Sequence, residues 1–303
     1  MTTGVSVVIV NWNTRRLLGC CLQSILTTGE GLVGEVIVVD NGSTDDSVAM
    51  VRERFPSVRL VENAGNEGFA RANNRGVELA RGDLVLLLNT DAFLAPGALR
   101  AMTELAESKP NAGLVGAQLR NPDGTFQASY TAFPTLWQEL LILSGLGRAL
   151  WRPWYPSHGP DEGAPRVVDY VEGACMLVRR SAYRHAGGFD EGYFMYAEDV
   201  DLCRTLRDAG WEVWYQPAAV VTHLGGGSSL QRKPEREGDL YRSRVRYFRK
   251  HYGDAAADAL KALILALTMF KSVAHGALRR ASGGRHGRPV PSLRDLSIRL
   301  RGA

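Results

Sequence analysis

Short runs of consecutive apolar residues alternate with helix-forming stretches through the N-terminal third of the chain, and this alternation constrains the fold most. Residues 5–10 read VSVVIV, a continuous β-branched run typical of a strand buried on both faces. Strands and helices that alternate at this spacing predict an α/β fold with a parallel sheet and right-handed crossovers. The predicted strands are residues 5–10, 36–39, 58–61 and 84–88, and the predicted helices are residues 16–27, 47–54 and 70–80.

The rest of the chain is less regular. Residues 121–166 contain many Pro, Trp and Tyr residues and show no clear period. We interpret this stretch as a functional insertion or lid with one short helix at 136–146. Around it we expect a helix at 100–108, strands at 113–119, 170–178, 211–216 and 219–222, a helix at 199–209 that Gly210 ends, and helices at 239–251 and 255–278.

Composition and charge narrow the class of protein. The 303 residues are 45% hydrophobic and 22% charged, an ordinary globular balance that argues against disorder. The net charge is +4, and basic residues concentrate after Arg232. A basic end suits an anionic membrane surface or nucleic acid, and a solvated charged face is the alternative. The four cysteines show no metal-ligand spacing, which predicts reduced thiols in a cytoplasmic protein. No apolar stretch reaches the roughly 18 to 20 residues that span a bilayer.

Polar residues follow each of the first four predicted strands. The carboxyl ends of parallel strands meet at one edge of a sheet, where ligands of such folds bind. Any single one of these residues could be a turn former, but four such ends at one edge favour a ligand site. The residues are Asn11 and Asn13 after the first strand, Asp40, Asn41 and Ser43 after the second, Asn63 after the third, and Asn89 and Asp91 after the fourth.

The first loop excludes two common ways of holding phosphate. Residues 11–14 read NWNT, so neither a glycine-rich dinucleotide turn nor a Walker lysine loop is present. A divalent metal on a carboxylate is the natural substitute, and Asp91 is placed to bind it. Asp40 can accept hydrogen bonds from a base or ribose. Arg71 lies near the start of a helix and could bind a phosphate group. The alternative is that it is an ordinary surface arginine.

A second acidic cluster occupies residues 198–201, which read EDVD. Acidic residues in the first turn of a helix are also favoured by the helix dipole alone. Asp199 shares an apolar helix face with Leu202 and Leu206, whereas Asp201 is predicted on a solvated face. A carboxylate at the mouth of an apolar face can have a raised pKa and act as a base. We therefore expect Asp199 to be the base, with Glu198 as the reserve.

His223 ends the last predicted strand and precedes the glycine-rich residues 225–229. A lone histidine is often a structural residue. Its position at a strand end, beside glycines that could close over a bound ligand, favours a metal ligand instead.

At these residues the chain resembles family 2 glycosyltransferases of the GT-A fold, particularly the bacterial rhamnosyltransferase-like branch. The match runs in order from about residue 4 to residue 252, and several motifs in the right order are more specific than any one. The matching segments are VSVVIVNWN (5–13), VVDNGSTD (38–45), NAGNEGFA (63–70), LLNTD (87–91), VEGA (171–174) and YAEDVDLC (196–203).

The resemblance implies a role for each segment. Residues 89–91 would be the family's Asp-x-Asp motif, with Asn89 in its first position, so that Mg²⁺ or Mn²⁺ would rest mainly on Asp91 and His223. Asp199 would be the catalytic base, and Gly173 and Ala174 would line the acceptor side. Asp40 would recognise the nucleobase, within a nucleotide-sugar site made of Asn11, Asp40, Asn41, Asn66, Arg71, Asn89 and Asp91.

These roles imply an inverting glycosyltransferase that works by a single displacement. The resemblance to the rhamnosyltransferase-like branch implies dTDP-rhamnose as the donor, and the acceptor would be a glycan or a lipid-linked glycan in cell-wall or surface polysaccharide synthesis. A nucleotidyltransferase and a non-catalytic nucleotide-sugar-binding module are the alternatives.

The resemblance also suggests a division of the chain. We expect a catalytic domain at 1–235, with a nucleotide-sugar half at 1–120 and an acceptor and catalytic half at 121–235. C-terminal helices at 236–280 and a basic flexible tail at 281–303 would follow. The helices would contact the inner face of the cell membrane, pack on the domain or form a homo-oligomer, and no nucleic-acid partner is expected.

Overall fold

The computed structural model describes residues 4–29, 31–150, 155–159, 163–227 and 233–281, the segments 233–235 and 275–281 as backbone only. The predicted tail beyond residue 281 and the serines at 228–229 lie outside the described residues. The strands are β1 (Val5–Asn11), β2 (Val33–Asp40), β3 (Arg59–Glu62), β4 (Leu84–Leu88), β5 (Ala92–Leu94), β6 (Ala112–Arg120), β7 (Tyr130–Thr131), β8 (Arg166–Val167), β9 (Tyr170–Val171), β10 (Cys175–Arg179) and β11 (Glu212–His223). The helices are α1 (Arg15–Thr28), α2 (Ser47–Arg54), α3 (Phe69–Leu79), α4 (Ala98–Ser108), α5 (Leu136–Ser144), α6 (Leu146–Leu150), α7 (Arg180–His185), α8 (Glu198–Asp208), α9 (Lys233–Tyr252) and α10 (Asp254–Ala281).

The chain forms two compact units, which we call the sheet unit (Met1–Phe133 and Ser157–Lys233) and the helical unit (Pro134–Pro156 and Pro234–Ala303). The sheet unit contains a large mixed sheet in the order β3-β2-β1-β4-β10-β6-β11-β5, with β8 paired to β11. Strands β7 and β9 form a separate antiparallel pair. The α/β class expected from the alternating pattern is therefore confirmed.

The four N-terminal strands pair in parallel, as their continuous apolar runs predict. The remainder of the sheet is mixed, because β10 enters antiparallel between β4 and β6. Helices α5 and α6 lie between β6 and β10 in the chain, but they belong to the helical unit. Because β6 and β10 are antiparallel, they need no helical crossover of the kind that joins parallel strands.

Three of the predicted strands are divided or joined differently in the structure. Residues 170–178 form two strands, since residues 172–174 interrupt β9 and β10. Residues 211–222 were expected as two strands but form the single strand β11. Its register against β6 shifts between Gln216 and Val220, where Pro217 removes a backbone donor from the ladder.

The apolar strands form the core of the sheet unit. Val7, Val8 and Ile9 of β1 are fully buried, as are Leu86 and Leu87 of β4. Helix α3 packs closely on this layer at Gly76, where an added Cβ would lie 2.3 Å from Cγ1 of Val8. Tight packing under the sheet fixes the strand ends that carry the polar residues.

The helical unit combines α5 and α6 with the C-terminal helices. An ion pair at 2.8 Å joins the partly buried Arg244 of α9 to the buried Glu139 of α5. Tyr247 and Phe248 of α9 are also buried in this unit. The short helix expected at 136–146 is observed as α5. Among the described residues, no helix is long and apolar enough to cross a membrane.

Candidate active site

The polar residues at the ends of β1, β2 and β4 are joined by side-chain hydrogen bonds. Asn11 and Asp40 are partners in the parallel register, and Asn11 Nδ2 donates to Asp40 Oδ1 at 2.7 Å. Asp40 Oδ2 accepts from the backbone N–H of Ser43 at 2.8 Å. Thr14 Oγ1 donates to Asn11 Oδ1 at 2.7 Å and lies 3.0 Å from Thr90 Oγ1. The network holds Asp40 rigidly and leaves its remaining lone pairs for a ligand.

A second set of amides continues this network toward α3. Asn63 Nδ2 donates to Asn41 Oδ1 at 2.7 Å, and Asn41 Nδ2 donates to the carbonyl of Gly68 at 3.1 Å. Asn66 Oδ1 accepts from the N–H of Gly68 at 3.0 Å. The structure therefore brings the predicted residues Asn41 and Asn66 together at the start of α3.

Arg71 is also on α3, but its guanidinium pairs with Glu191. The two side chains are 3.0 Å apart and about half exposed. An exposed ion pair of this kind contributes only about 0–1 kcal/mol, so a phosphate group could displace Glu191 at little cost. The phosphate role of Arg71 stays a prediction.

Asp91 and His223 lie together, as a shared metal site requires. Strands β5 and β11 pair antiparallel with His223 opposite Ala92, which places His223 Nε2 3.4 Å from Asp91 Oδ1. The N–H of Gly227 donates to Asp91 Oδ2 at 2.9 Å. Burial alone would raise the pKa of Asp91, but the hydrogen bond and charge of His223 and the N–H of Gly227 outweigh it and lower that pKa. Asp91 is thus an ionised, buried carboxylate.

Gln127 holds His223 in place and was missed by the sequence analysis. Its Oε1 lies 2.6 Å from His223 Nδ1, and its Nε2 donates to the carbonyl of His223 at 3.1 Å. Because Gln127 Oε1 can only accept a hydrogen bond, Nδ1 is the donor to it, and Nε2 is the ring atom that faces Asp91 and would bind a metal. Gln127 lies in the irregular stretch 121–166, 96 residues before its partner, and no spacing could have indicated it.

The donor set fits a divalent ion that arrives with a diphosphate. In the part of the chain that the structure describes, no group of three or more His, Cys, Asp or Glu side chains could enclose a metal. Asp91 and His223 supply two ligands, and ions such as Mg²⁺ commonly take their other ligands from substrate phosphates and water.

Asp199 is held at the start of α8 by two backbone donors. The N–H of Gly173 donates to Oδ2 at 2.8 Å and that of Val200 to Oδ1 at 2.9 Å. Burial raises the pKa of Asp199, and these two N–H groups oppose the rise. The helix begins after Tyr196 and Ala197, whose φ angles of 74° and 62° are unfavourable for residues with a Cβ. Backbone strain of this kind is concentrated at functional sites.

Glu198 is more deeply buried than Asp199. Its Oε2 is buried and accepts no hydrogen bond from any described residue. Burial and the charges of Asp199 and Asp201 raise the pKa of Glu198 well above its ordinary value. The half-buried Asp199 is therefore the more accessible of the two candidate bases.

The predicted solvated face at Asp201 is wrong. Asp201 is 1% exposed, and the hydroxyl of the buried Tyr193 donates to its Oδ1 at 3.2 Å. Tyr193 comes from the segment before α8 and covers this face of the helix, which helical periodicity alone cannot show.

Residues 173–174 connect Asp199 with the segment that contains Asn89 and Asp91. The backbone N–H of Asn89 donates to the carbonyl of Ala174 at 3.0 Å, next to the β4–β10 pair Leu88 and Cys175. Gly173 in turn donates to Asp199. An added Cβ on Gly173 would lie 3.1 Å from Asp199 Oδ2, so this glycine allows the close approach. The segment that carries Asp91 is thereby tied to the candidate base.

The chain is similar to known proteins in family, in sequence and in fold. The family described as "Glycosyltransferase like family 2" matches residues 3–246. An N-acetylglucosaminyl-diphospho-decaprenol L-rhamnosyltransferase of Mycobacterium tuberculosis is 36% identical over 241 residues, which cover 74% of this chain and 76% of that protein. The rhamnosyltransferase WbbL of Escherichia coli is 32% identical over 169 residues, 53% of this chain and 62% of that protein.

Solved structures support the fold. A mannosyltransferase from Pyrobaculum calidifontis, solved with GDP-mannose and Mn²⁺, has a TM-score of 0.60 at 20% identity and covers 99% of this chain and 81% of that one. GalNAc-T7, solved with UDP, GalNAc and Mn²⁺, has a TM-score of 0.57 at 16% identity and covers 82% of this chain and 48% of that one. Both likenesses confirm the expected GT-A fold. The matches favour a transferase over the nucleotidyltransferase and the non-catalytic binding module.

Proposed function

The chain belongs to glycosyltransferase family 2, and on that premise we propose that it transfers rhamnose from dTDP-rhamnose, with inversion, onto a glycan or lipid-linked acceptor. The rhamnose donor is supported by two relatives that are named rhamnosyltransferases. The lipid-linked acceptor is supported by the name of the mycobacterial relative, which specifies N-acetylglucosaminyl-diphospho-decaprenol. The product would then enter cell-wall or surface polysaccharide synthesis.

The single observation that carries the mechanism is the hydrogen bond from Gly173 to Asp199. This bond holds Asp199 Oδ2 against the backbone of Gly173. The neighbouring residue, Ala174, accepts the backbone hydrogen bond of Asn89. In the proposed single displacement Asp199 removes the proton from the acceptor hydroxyl as that oxygen attacks the anomeric carbon. Gly173 and Ala174 line the acceptor side. Attack on the face opposite the leaving group inverts the anomeric centre.

The donor would bind at the polar strand ends. Asp40, held by Asn11, would accept hydrogen bonds from the nucleobase, while Asn41, Asn66 and Asn89 would contribute amide contacts to the nucleotide sugar. Arg71 would exchange Glu191 for a phosphate oxygen.

Asp91 and His223 would hold Mg²⁺ or Mn²⁺ against the diphosphate. When bound, this ion would neutralise the charge that develops as the nucleoside diphosphate leaves. Gln127 orients His223, and Gly227 holds Asp91 through its backbone. The ionised carboxylate of Asp91 and the position of His223 Nε2 beside it support this role.

The proposed roles are assigned to consecutive parts of the chain. Residues 1–120 would bind the donor, residues 121–235 would contribute the acceptor and catalytic groups, and the C-terminal helices at 236–280 would contact the cytoplasmic face of the membrane. A homo-oligomer through the same helices is the competing arrangement.

The test is transfer from dTDP-rhamnose to a lipid-linked N-acetylglucosaminyl diphosphate, with UDP-hexoses as competing donors. The anomeric configuration of the product is then read by NMR. We expect rhamnose to be transferred with the configuration opposite to that in the donor. Retention would exclude the single displacement, and transfer from a UDP-hexose alone would exclude the rhamnose assignment.

A further inference from the structure

The segment from Gln127 to Ser129 makes hydrogen bonds at both ends of the candidate active site. At its first residue, Gln127 makes two hydrogen bonds to His223. At its last residue, the carbonyl of Ser129 accepts a hydrogen bond from the backbone N–H of Glu172 at 3.0 Å. Glu172 directly precedes the glycine whose N–H donates to Asp199. One short segment therefore supports both the candidate metal ligand and the candidate base.

The hydroxyl of Ser129 fixes this segment at two points. Ser129 is 1% exposed, and its Oγ accepts a hydrogen bond from the backbone N–H of Leu119 at 2.9 Å. The same hydroxyl donates to the carbonyl of Gln127 at 2.8 Å. It therefore satisfies Leu119 of β6 in place of the backbone carbonyl that a neighbouring strand would supply. Removal of the hydroxyl leaves a buried N–H without this acceptor, so we expect the segment to shift.

The residues that follow the segment are held firmly. Tyr130 pairs with Val171 in the antiparallel β7–β9 ladder, and the bond from Glu172 to Ser129 continues that ladder by one residue. The ring of Tyr130 also stacks on that of Tyr215, with the ring centroids 4.2 Å apart. A displacement of Ser129 is therefore passed on to Glu172, because no flexible loop separates the two residues.

We propose that Ser129 is a positioning residue for both parts of the candidate active site. It acts on the metal ligand through Gln127 and on the candidate base through Glu172. Groups that orient a metal ligand or a catalytic side chain change metal affinity or rate when they move. The inference rests on the proposed function, since it concerns metal binding by His223 and proton removal by Asp199.

Ser6 of β1 offers a matched control far from the site. It is fully buried, and its Oγ accepts a hydrogen bond from the backbone N–H of Gly82 at 2.9 Å and donates to Glu35 at 2.7 Å. It lies near the amino end of β1, roughly 16 Å of strand before Asn11. Ser6→Ala and Ser129→Ala each remove the acceptor of one buried N–H, so we expect similar losses of stability.

The first experiment uses the full chain without ligands and measures amide hydrogen exchange by NMR at Glu172 and Gly173. We expect Ser129→Ala to speed exchange at both amides about tenfold, because their acceptors are held less firmly. Ser6→Ala should leave both rates as in the wild type. Equal exchange in the two variants would overturn the link between Ser129 and the candidate base.

The second experiment titrates Mn²⁺ in the presence of nucleoside diphosphate. We expect about tenfold weaker Mn²⁺ binding in Ser129→Ala and wild-type affinity in Ser6→Ala. Because Ser129 acts on His223 through Gln127, the double variant Gln127→Ala with Ser129→Ala should bind Mn²⁺ as Gln127→Ala does. A further tenfold loss in the double variant would show that Ser129 does not act through Gln127.

Turnover at saturating Mn²⁺ separates the two effects of Ser129. Gln127→Ala should then regain most of its kcat, whereas Ser129→Ala should remain about tenfold below the wild type, because its base is also displaced. If Ser129→Ala does not fold, Ser129→Cys keeps the size of the side chain with a much weaker hydrogen-bonding group, and the same comparisons apply.

The inference and the proposed function fail in different ways. An active wild type in which Ser129→Ala behaves like Ser6→Ala in all three measurements would overturn the positioning role and leave the proposed reaction standing. A wild type that transfers no sugar would overturn the proposed reaction. Faster amide exchange in Ser129→Ala alone would still establish that Ser129 positions the backbone next to Asp199.

Discussion

Gln127 and His223 are joined by two hydrogen bonds, one to the ring nitrogen Nδ1 and one to the backbone carbonyl. The pair fixes the ring so that Nε2 lies beside Asp91. A residue that orients a metal ligand commonly changes metal affinity 10- to 100-fold when it is removed. We expect removal of the Gln127 side chain to lower metal affinity in the same way.

We predict that Gln127→Ala weakens Mn²⁺ binding in the presence of nucleoside diphosphate by roughly 10- to 100-fold, because His223 loses its anchor. Gln127→Glu, which keeps an acceptor for Nδ1, should lose less. Isothermal titration calorimetry measures both, and Gln23→Ala, at an exposed position of α1, is the control. Wild-type affinity in Gln127→Ala would show that His223 needs no such support.

Asp199→Asn should leave donor binding intact and reduce turnover about 10²- to 10⁴-fold, since the amide cannot accept the acceptor proton. Steady-state transfer rates and a nucleotide-sugar binding titration measure the two effects. Asp208→Asn, an exposed carboxylate at the end of the same helix, should transfer at the normal rate. Near-normal transfer by Asp199→Asn would disprove the assignment of the base.

Gly173→Ala tests the position of that base. The added methyl group would lie 3.1 Å from Asp199 Oδ2 and 3.2 Å from its Cβ, so the carboxylate must move. A misplaced catalytic group can lower the rate about 10²-fold while donor affinity persists. Gly19→Ala, where the new Cβ meets its nearest atom at 3.7 Å, is the matched control. Equal rates for both variants would contradict the proposed contact.

The raised pKa of Glu198 predicts how stability depends on pH. The native state holds a proton on Glu198 more tightly than the unfolded chain does, so this contribution is complete below the ordinary glutamate pKa of about 4.3. It is lost as the pH rises through the raised pKa. Thermal unfolding of Glu198→Gln should therefore show a smaller loss of stability over this pH range than the wild type shows.

Glu107→Gln, at an exposed position on α4, is the control and should follow the wild-type curve. If Glu198→Gln also follows that curve, Glu198 is not a protonated buried carboxyl in the native state.

Chelation of divalent metal should abolish transfer, because Asp91 and His223 alone leave the charge of the departing diphosphate uncompensated. Rates in excess chelator, and again after Mn²⁺ or Mg²⁺ is restored, measure this. Full activity in chelator would remove the metal role of Asp91.

The sequence predicted those parts of the fold that depend on local pattern. The runs at β1, β2 and β4 are largely buried and therefore have a distinctive apolar composition, and the shared edge of their polar ends follows from parallel pairing. The contact between Asp91 and His223 was expected only through the family resemblance. It depends on the antiparallel pairing of the three-residue strand β5 with β11, which no local pattern specifies.

The remaining differences also arise from tertiary contacts. Asp201 is buried because Tyr193 covers it, and the segment 134–156 belongs to the helical unit, where Glu139 meets Arg244. Periodicity identifies one face of a helix but not which neighbour covers the other.

The measurement that tests the central claim most directly is thermal stabilisation by a panel of nucleotide sugars and free nucleotides, with and without Mn²⁺. A ligand at about one hundred times its Kd adds about 2.7 kcal/mol to the free energy of unfolding, so donor binding would be plain. We predict a metal-dependent rise in Tm with dTDP-rhamnose and with other dTDP ligands, which is lost in Asp91→Asn. No rise with any nucleotide, or an equal rise in Asp91→Asn, would contradict the donor site.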